Sequence, residues 1–73
     1  MKINQAGRDV LEVLLPPQQY QVALLICEQA LGNKEIAERL RIRTGSIGRH
    51  LHDIYKRLDA HGQKELMLLY WTV

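Results

Sequence analysis

The sequence predicts an all-α domain of four helices with a short N-terminal arm, and three observations carry that prediction. Apolar residues recur at helical spacing in four segments, set off from the arm and from one another by connectors at residues 15–17, 30–33, 41–43 and 59–62 that hold both prolines and two of the five glycines. Residues 33–58 read as two helices joined by a tight turn, the second apolar on one side and basic on the other. The composition, 47% apolar and 25% charged over 73 residues, is that of one small globular unit rather than a disordered tail. We therefore divide the chain into an arm at residues 1–14 and a single domain at residues 15–73.

Residues 1–15 begin polar and turn apolar, with Val10, Leu11, Leu14 and Leu15 at helix-compatible spacing. They are read as an arm or a short helix laid on the domain. Pro16 and Pro17 punctuate the chain, and proline suits the first helical turn, where its missing N–H is not needed. The first core helix should start at Pro17 and run to about Gln29. Val22, Leu25 and Ile26 share its core face, whereas Leu24 and Cys27 fall on the other side. Leu31 serves as an apolar plug after it. Asn33 is expected to cap the second helix, in which Ile36, Ala37 and Leu40 face inward and the small Ala37 lets a neighbour approach closely.

The pattern breaks for about three residues after Leu40, with Ile42 as an anchor, before a third helix starts at Arg43 or Thr44. With Ile47 at zero and ~100° per residue, Leu51, Ile54, Tyr55 and Leu58 lie within about 80° of it, while Gly45, Arg49, His52 and Lys56 gather opposite. One face packs and the other is left for a partner. The last helix should span about 63–71, with Leu66, Leu69 and Tyr70 on one side and Met67, Leu68 and Trp71 on another.

Charge indicates what the outward face meets. Six Lys or Arg (Arg39, Arg41, Arg43, Arg49, Lys56, Arg57) stand against Asp53 alone between residues 39 and 57, although the whole chain carries only +2. Such a concentration on one helix pair fits double-stranded DNA. The longest apolar runs are too short to span a bilayer, and no segment has the form of a secretory signal. The single cysteine, Cys27, can form no internal disulfide, so a cytoplasmic location is expected. Met1 followed by a polar arm reads as the start of a complete small protein.

Catalytic and metal chemistry find little support. His50 and His52 are two apart on a helix and diverge, and His61 sits in a connector with no second ligand nearby. Cys27 lacks a Cys-x-x-Cys partner, and nothing matches a phosphate-binding glycine loop, a nucleophile elbow or a carboxylate pair placed for catalysis. We expect no enzyme, no cofactor, no metal and no small-molecule ligand.

The ordered residues resemble the LuxR-type (GerE-like) helix-turn-helix domain of bacterial transcription regulators. The likeness rests on Leu15-x-Pro17, the run Asn33–Leu40, Ile42, Gly45-Ser46-Ile47, His50-Leu51, Ile54-Tyr55-Lys56-Arg57-Leu58 and Glu65-Leu66, and covers residues 15–69. It implies a four-helix domain whose third helix enters the major groove and whose fourth forms a dimer reading a pseudo-palindromic site. Position by position, it implies base contacts from Gly48, Arg49 and His52, and phosphate contacts from Lys34, Ser46, Lys56 and Arg57. Arg49 is also favoured by its chemistry, because a guanidinium can donate a bidentate pair to guanine. Ser46 could instead cap its helix.

The chain departs from that pattern at several positions. Gly48 stands where the family usually has lysine, Pro16 and Arg43 where it has a capping hydroxyl, and Gln19 and Gln21 where it has acids. One extra residue lies near Gln29. Met67, Leu68 and Trp71 are expected to form a homodimer interface, unless Val10, Leu11 and Leu14 of the arm fold back and cover them. The expected function is a sequence-specific transcriptional regulator. Its first competitor is a protein-interaction module that has lost the Gly48 contact and sequesters another regulator through its last helix. A second is a region-4-like sigma-factor module, which fits residues 54–58 and the final helix less well.

Overall fold

The computed structural model describes residues 2–73, and among them every regular element is helical: α1 (Gln5–Leu14), α2 (Pro17–Gln29), α3 (Asn33–Leu40), α4 (Thr44–Leu58) and α5 (Gln63–Thr72). There are five helices rather than four, because the segment expected as an arm or short helix forms the ten-residue α1. None of the five is long and apolar enough to cross a membrane.

The helix ends follow local chemistry. Pro17 opens α2, and the Pro16 carbonyl accepts the Tyr20 N–H at 2.8 Å. Gly32, not Asn33, holds the N-cap position of α3, where its N–H donates to Glu35 Oε1 at 3.2 Å. The acid in the first turn thus satisfies the N-cap N–H, while no side chain makes the capping bond expected of Asn33. Three helices end on a residue in the left-handed region: Ala30 (φ 52°), Arg41 (φ 59°) and Asp59 (φ 55°). That conformation turns the chain sharply and satisfies otherwise unpaired carbonyls. Ile42 N–H reaches Ala37 O at 3.0 Å and Ala60 N–H reaches Tyr55 O at 2.8 Å.

Leu11, Leu15, Val22, Ala23, Ile26, Cys27, Ile36, Ala37, Ile47, Ile54, Leu66 and Tyr70 form one continuous core. At its centre lies α2, which packs against α1, α4 and α5. This corrects the expected face of α2: Ala23 and Cys27 are buried, whereas Leu25 is only half-buried, like Leu24. A helix flanked on three sides buries more than a single stripe, so a one-face reading misplaces its flanks. Gln19 is buried beside this core, and its Oε1 has no hydrogen-bond partner.

A polar cluster fixes α1 to the rest. The Glu28 carboxylate, its side chain only 3% exposed, accepts Nε and Nη2 of Arg8, each at 2.7 Å, and also the Tyr70 hydroxyl. Asn4 completes the cluster by donating its N–H to the Tyr70 hydroxyl and its Nδ2 to the Tyr70 carbonyl, both at 2.8 Å. A buried carboxylate is tolerated when its oxygens are satisfied in this way. Gly7 lets the two backbones meet, since a Cβ there would overlap the Tyr70 carbonyl oxygen and lie 2.7 Å from Tyr70 Cδ1.

Candidate nucleic-acid interface

The helix-turn-helix is built from α3, the turn at residues 41–43 and α4; the two helices pack together, and Ala37 is buried. Ile47 and Ile54 are fully buried, and Leu51, Tyr55 and Leu58 half-buried, so α4 is held along the stripe that its sequence predicts. The opposite face is open: Gly45, Gly48, Arg49, His52, Lys56 and Arg57 are all exposed. Lys34 is exposed in the first turn of α3, and Ser46 is half-buried near the start of α4.

Electrostatics separate this face from the rest of the molecule. Among the described residues the ion pairs are Arg8 with Glu28 and His61 with Glu65, so Lys34, Arg49, Lys56 and Arg57 take part in none. Arg39 is engaged differently, donating to Gln29 Oε1 at 3.2 Å. No acid stands in the first turn of α4, and its last turn carries Lys56 and Arg57.

The expected site residues fall into separate groups. Ser46 and Arg49 share one shallow depression with Gly45 and Arg43. Lys56 and Arg57 share another with Asp53. Lys34 lines neither. No heavy atom outside its own helix backbone and chain neighbours lies within 4 Å of where a Cβ at Gly48 would stand, so the glycine leaves open space on the outward face. Ser46 does not cap α4, because the N-cap residue is Arg43 and no side chain makes the capping bond. Arg43, which lines the first depression, was not among the expected site residues. Its signal was the same departure that removed the capping hydroxyl.

The remaining candidates for chemistry resolve into structural roles. Burial pushes the Cys27 thiol up to about 12, far from a reactive thiolate, and the sulfur lies 3.9 Å from the Leu66 carbonyl. His61, expected to stand alone, pairs with Glu65 at 3.2 Å, and that hydrogen bond raises its pKa. Glu65 also accepts the His61 N–H at 3.1 Å, which helps start α5. Among the described residues no three His, Cys, Asp or Glu side chains could together hold a metal ion.

A second surface lies on α5. Met67, Leu68 and Trp71 line an open groove of about 390 Å³ with Gln63 and Lys64. The arm does not cover it: Leu11 enters the core, Leu14 stays 45% exposed, and α1 docks beside Tyr70 instead. Leu68 and Trp71 remain 52% and 39% exposed. Trp71 is nonetheless fixed, its Nε1 donating to the Cys27 carbonyl at 3.1 Å and its ring meeting Tyr70 edge-on at 4.8 Å.

The sequence model of the family described as bacterial regulatory proteins, luxR family, matches residues 13–70. The chain belongs to the LuxR family. Its helix-turn-helix is therefore a LuxR-type DNA-binding domain, and that domain places the chain among transcription regulators. No curated protein and no solved structure matches the chain significantly. The LuxR match begins near the C-terminal end of α1, so most of that helix and its contacts with Glu28 and Tyr70 add to the shared domain.

Proposed function

We propose that this LuxR-family chain is a sequence-specific transcriptional regulator that sets α4 in the major groove of double-stranded DNA and dimerises through α5. The observation that carries this reading is the outward face of α4, where Arg49, His52, Lys56 and Arg57 are exposed and join no ion pair among the described residues, while the inward face is locked in the core. Unpaired cations on a rigid helix suit phosphates and base edges.

Arg49 and His52 read base edges, Arg49 by a bidentate pair worth about 1 to 3 kcal/mol of discrimination. Gly48, one turn before His52 on the same face, adds no side chain there. Lys34, Ser46, Lys56 and Arg57 hold the phosphate backbone and set the register of the helix. Met67, Leu68 and Trp71 meet their counterparts in a second copy, and two-fold symmetry then calls for a pseudo-palindromic site. The protein works in the cytoplasm without enzyme activity, metal or cofactor.

Selecting bound duplexes from a random DNA pool tests the proposal. An enriched palindrome supports it, and Arg49→Ala should flatten the preference where Lys34→Ala weakens all sequences alike. A pool recovered without enrichment would count against it. For the interface, Leu68→Asp should convert a dimer to a monomer in sedimentation, and an unchanged mass rejects that face. One observation favours a second reading, a module that sequesters another regulator: the apolar groove on α5 is open while α4 lacks the Gly48 side chain. A chain that binds no DNA but captures a partner through Trp71 would replace the first reading with that one.

A further inference from the structure

We infer that Arg43 is a DNA phosphate clamp, acting with Ser46 to seat α4 and standing in for the cation that Gly48 does not supply. This rests on the DNA-binding reading above and adds a residue and a role to it.

Arg43 immediately precedes α4 with extended backbone (φ −73°, ψ 145°); it is exposed, makes no capping bond and joins no ion pair among the described residues. It lines one open depression of about 360 Å³ with Gly45, Ser46 and Arg49. Two arginines and a serine therefore border a common space that no acidic residue lines. Asp53, the one acid of α4, borders the separate depression with Lys56 and Arg57. Like charges around a shared concavity repel one another, and an anion placed between them reverses the sign of that interaction.

Gly45 adds no bulk, since nothing lies within 4 Å of where its Cβ would stand. A phosphodiester can thus approach the backbone closely. The planar guanidinium of Arg43 suits two phosphate oxygens at once, and the Ser46 hydroxyl can donate to the same group. Six residues of helical rise place Arg49 roughly 9 Å further along the axis, which leaves it to reach bases while Arg43 holds the strand beside the groove.

The test measures duplex binding by fluorescence anisotropy across a range of salt concentrations, using a mixed-sequence duplex and the best duplex from the random pool. Arg43→Ala should weaken both about equally and reduce the slope of log K against log salt by about 0.9 per protomer. Arg43→Ser, which supplies a capping hydroxyl and so preserves folding, should lose the same increment, and Arg43→Lys should keep it. Lys2→Ala, the same change of charge at an exposed position before α1, should leave the slope as it was. Gly48→Lys should restore affinity to Arg43→Ala. Wild-type binding with an unchanged slope in Arg43→Ala overturns this inference alone. A loss of sequence preference without a change of slope also overturns it, by making Arg43 a base reader. No binding by the wild-type chain removes the DNA-binding reading and this one together.

Discussion

Arginine is used in opposite ways on the two sides of this molecule. Where α1 meets α2 and α5, Arg8 is locked in a bidentate pair with the nearly buried Glu28, and Tyr70 and Asn4 complete the cluster. On α4, Arg49 and Arg57 stand exposed and join no ion pair among the described residues. The first arrangement satisfies every charge internally and serves to join helices. The second leaves charge for a partner, and it is the α4 side that lies wholly within the LuxR-family match. A cation thus contributes to architecture or to recognition according to whether the fold gives it a carboxylate.

The largest effect should come from forcing the α1 junction apart. Gly7→Leu places a side chain against the Tyr70 backbone, and overpacking of this kind costs about 3 kcal/mol. Thermal unfolding should show a large loss, or α1 should become susceptible to proteolysis while the helix-turn-helix stays folded. Removing the charge partner comes next. Glu28→Ala leaves the buried Tyr70 O–H without an acceptor and Arg8 without its carboxylate, at a cost of about 2 kcal/mol, and circular dichroism should register the lower melting point.

The same carboxylate sets an acid limit. Hydrogen bonds from Arg8, and secondarily from Tyr70, hold the Glu28 carboxyl below its ordinary range. Its contribution is therefore present above the unfolded value of about 4.3 and lost as pH falls through the lower folded value. Stability should drop in acid below about pH 4, and Glu28→Gln should flatten that dependence.

The α4 side should respond in the other direction. Gly48→Ala fills open space and removes a helical glycine, gaining about 1 kcal/mol. A melting point that falls would mean the glycine is needed by the fold rather than tolerated on its surface. The smallest effect belongs to His61, whose pKa is raised by Glu65 at an exposed site. Its contribution is complete below the unfolded value of about 6.5 and fades as pH rises through the folded one. Glu65→Gln should remove that slight dependence near neutrality.

The helix-turn-helix was legible because its information is local. Ile47, Leu51, Ile54 and Leu58 mark one face of a single helix, and Pro17 and Gly32 mark helix boundaries, all within a few residues of what they control. The α1 junction was not legible, because Glu28 meets partners 20 and 42 residues away and no local pattern announces such pairing. Burial of Cys27 and Ala23 escaped for a related reason: the number of helices around α2 is a property of the whole fold. Arg43 lay between these cases. Its missing cap was visible in the sequence, but its place beside Ser46 and Arg49 depends on how the turn through Arg41 delivers the chain to α4.

If the cations of the helix-turn-helix that join no ion pair serve to meet DNA, binding must depend steeply on salt. With phosphate contacts from Lys34, Arg43, Lys56 and Arg57, log K for a mixed-sequence duplex should fall linearly with log salt, with a slope of about −3 to −4 per protomer. Absence of binding at about 50 mM salt, or binding whose affinity does not change as salt rises, would show that these cations do not serve DNA.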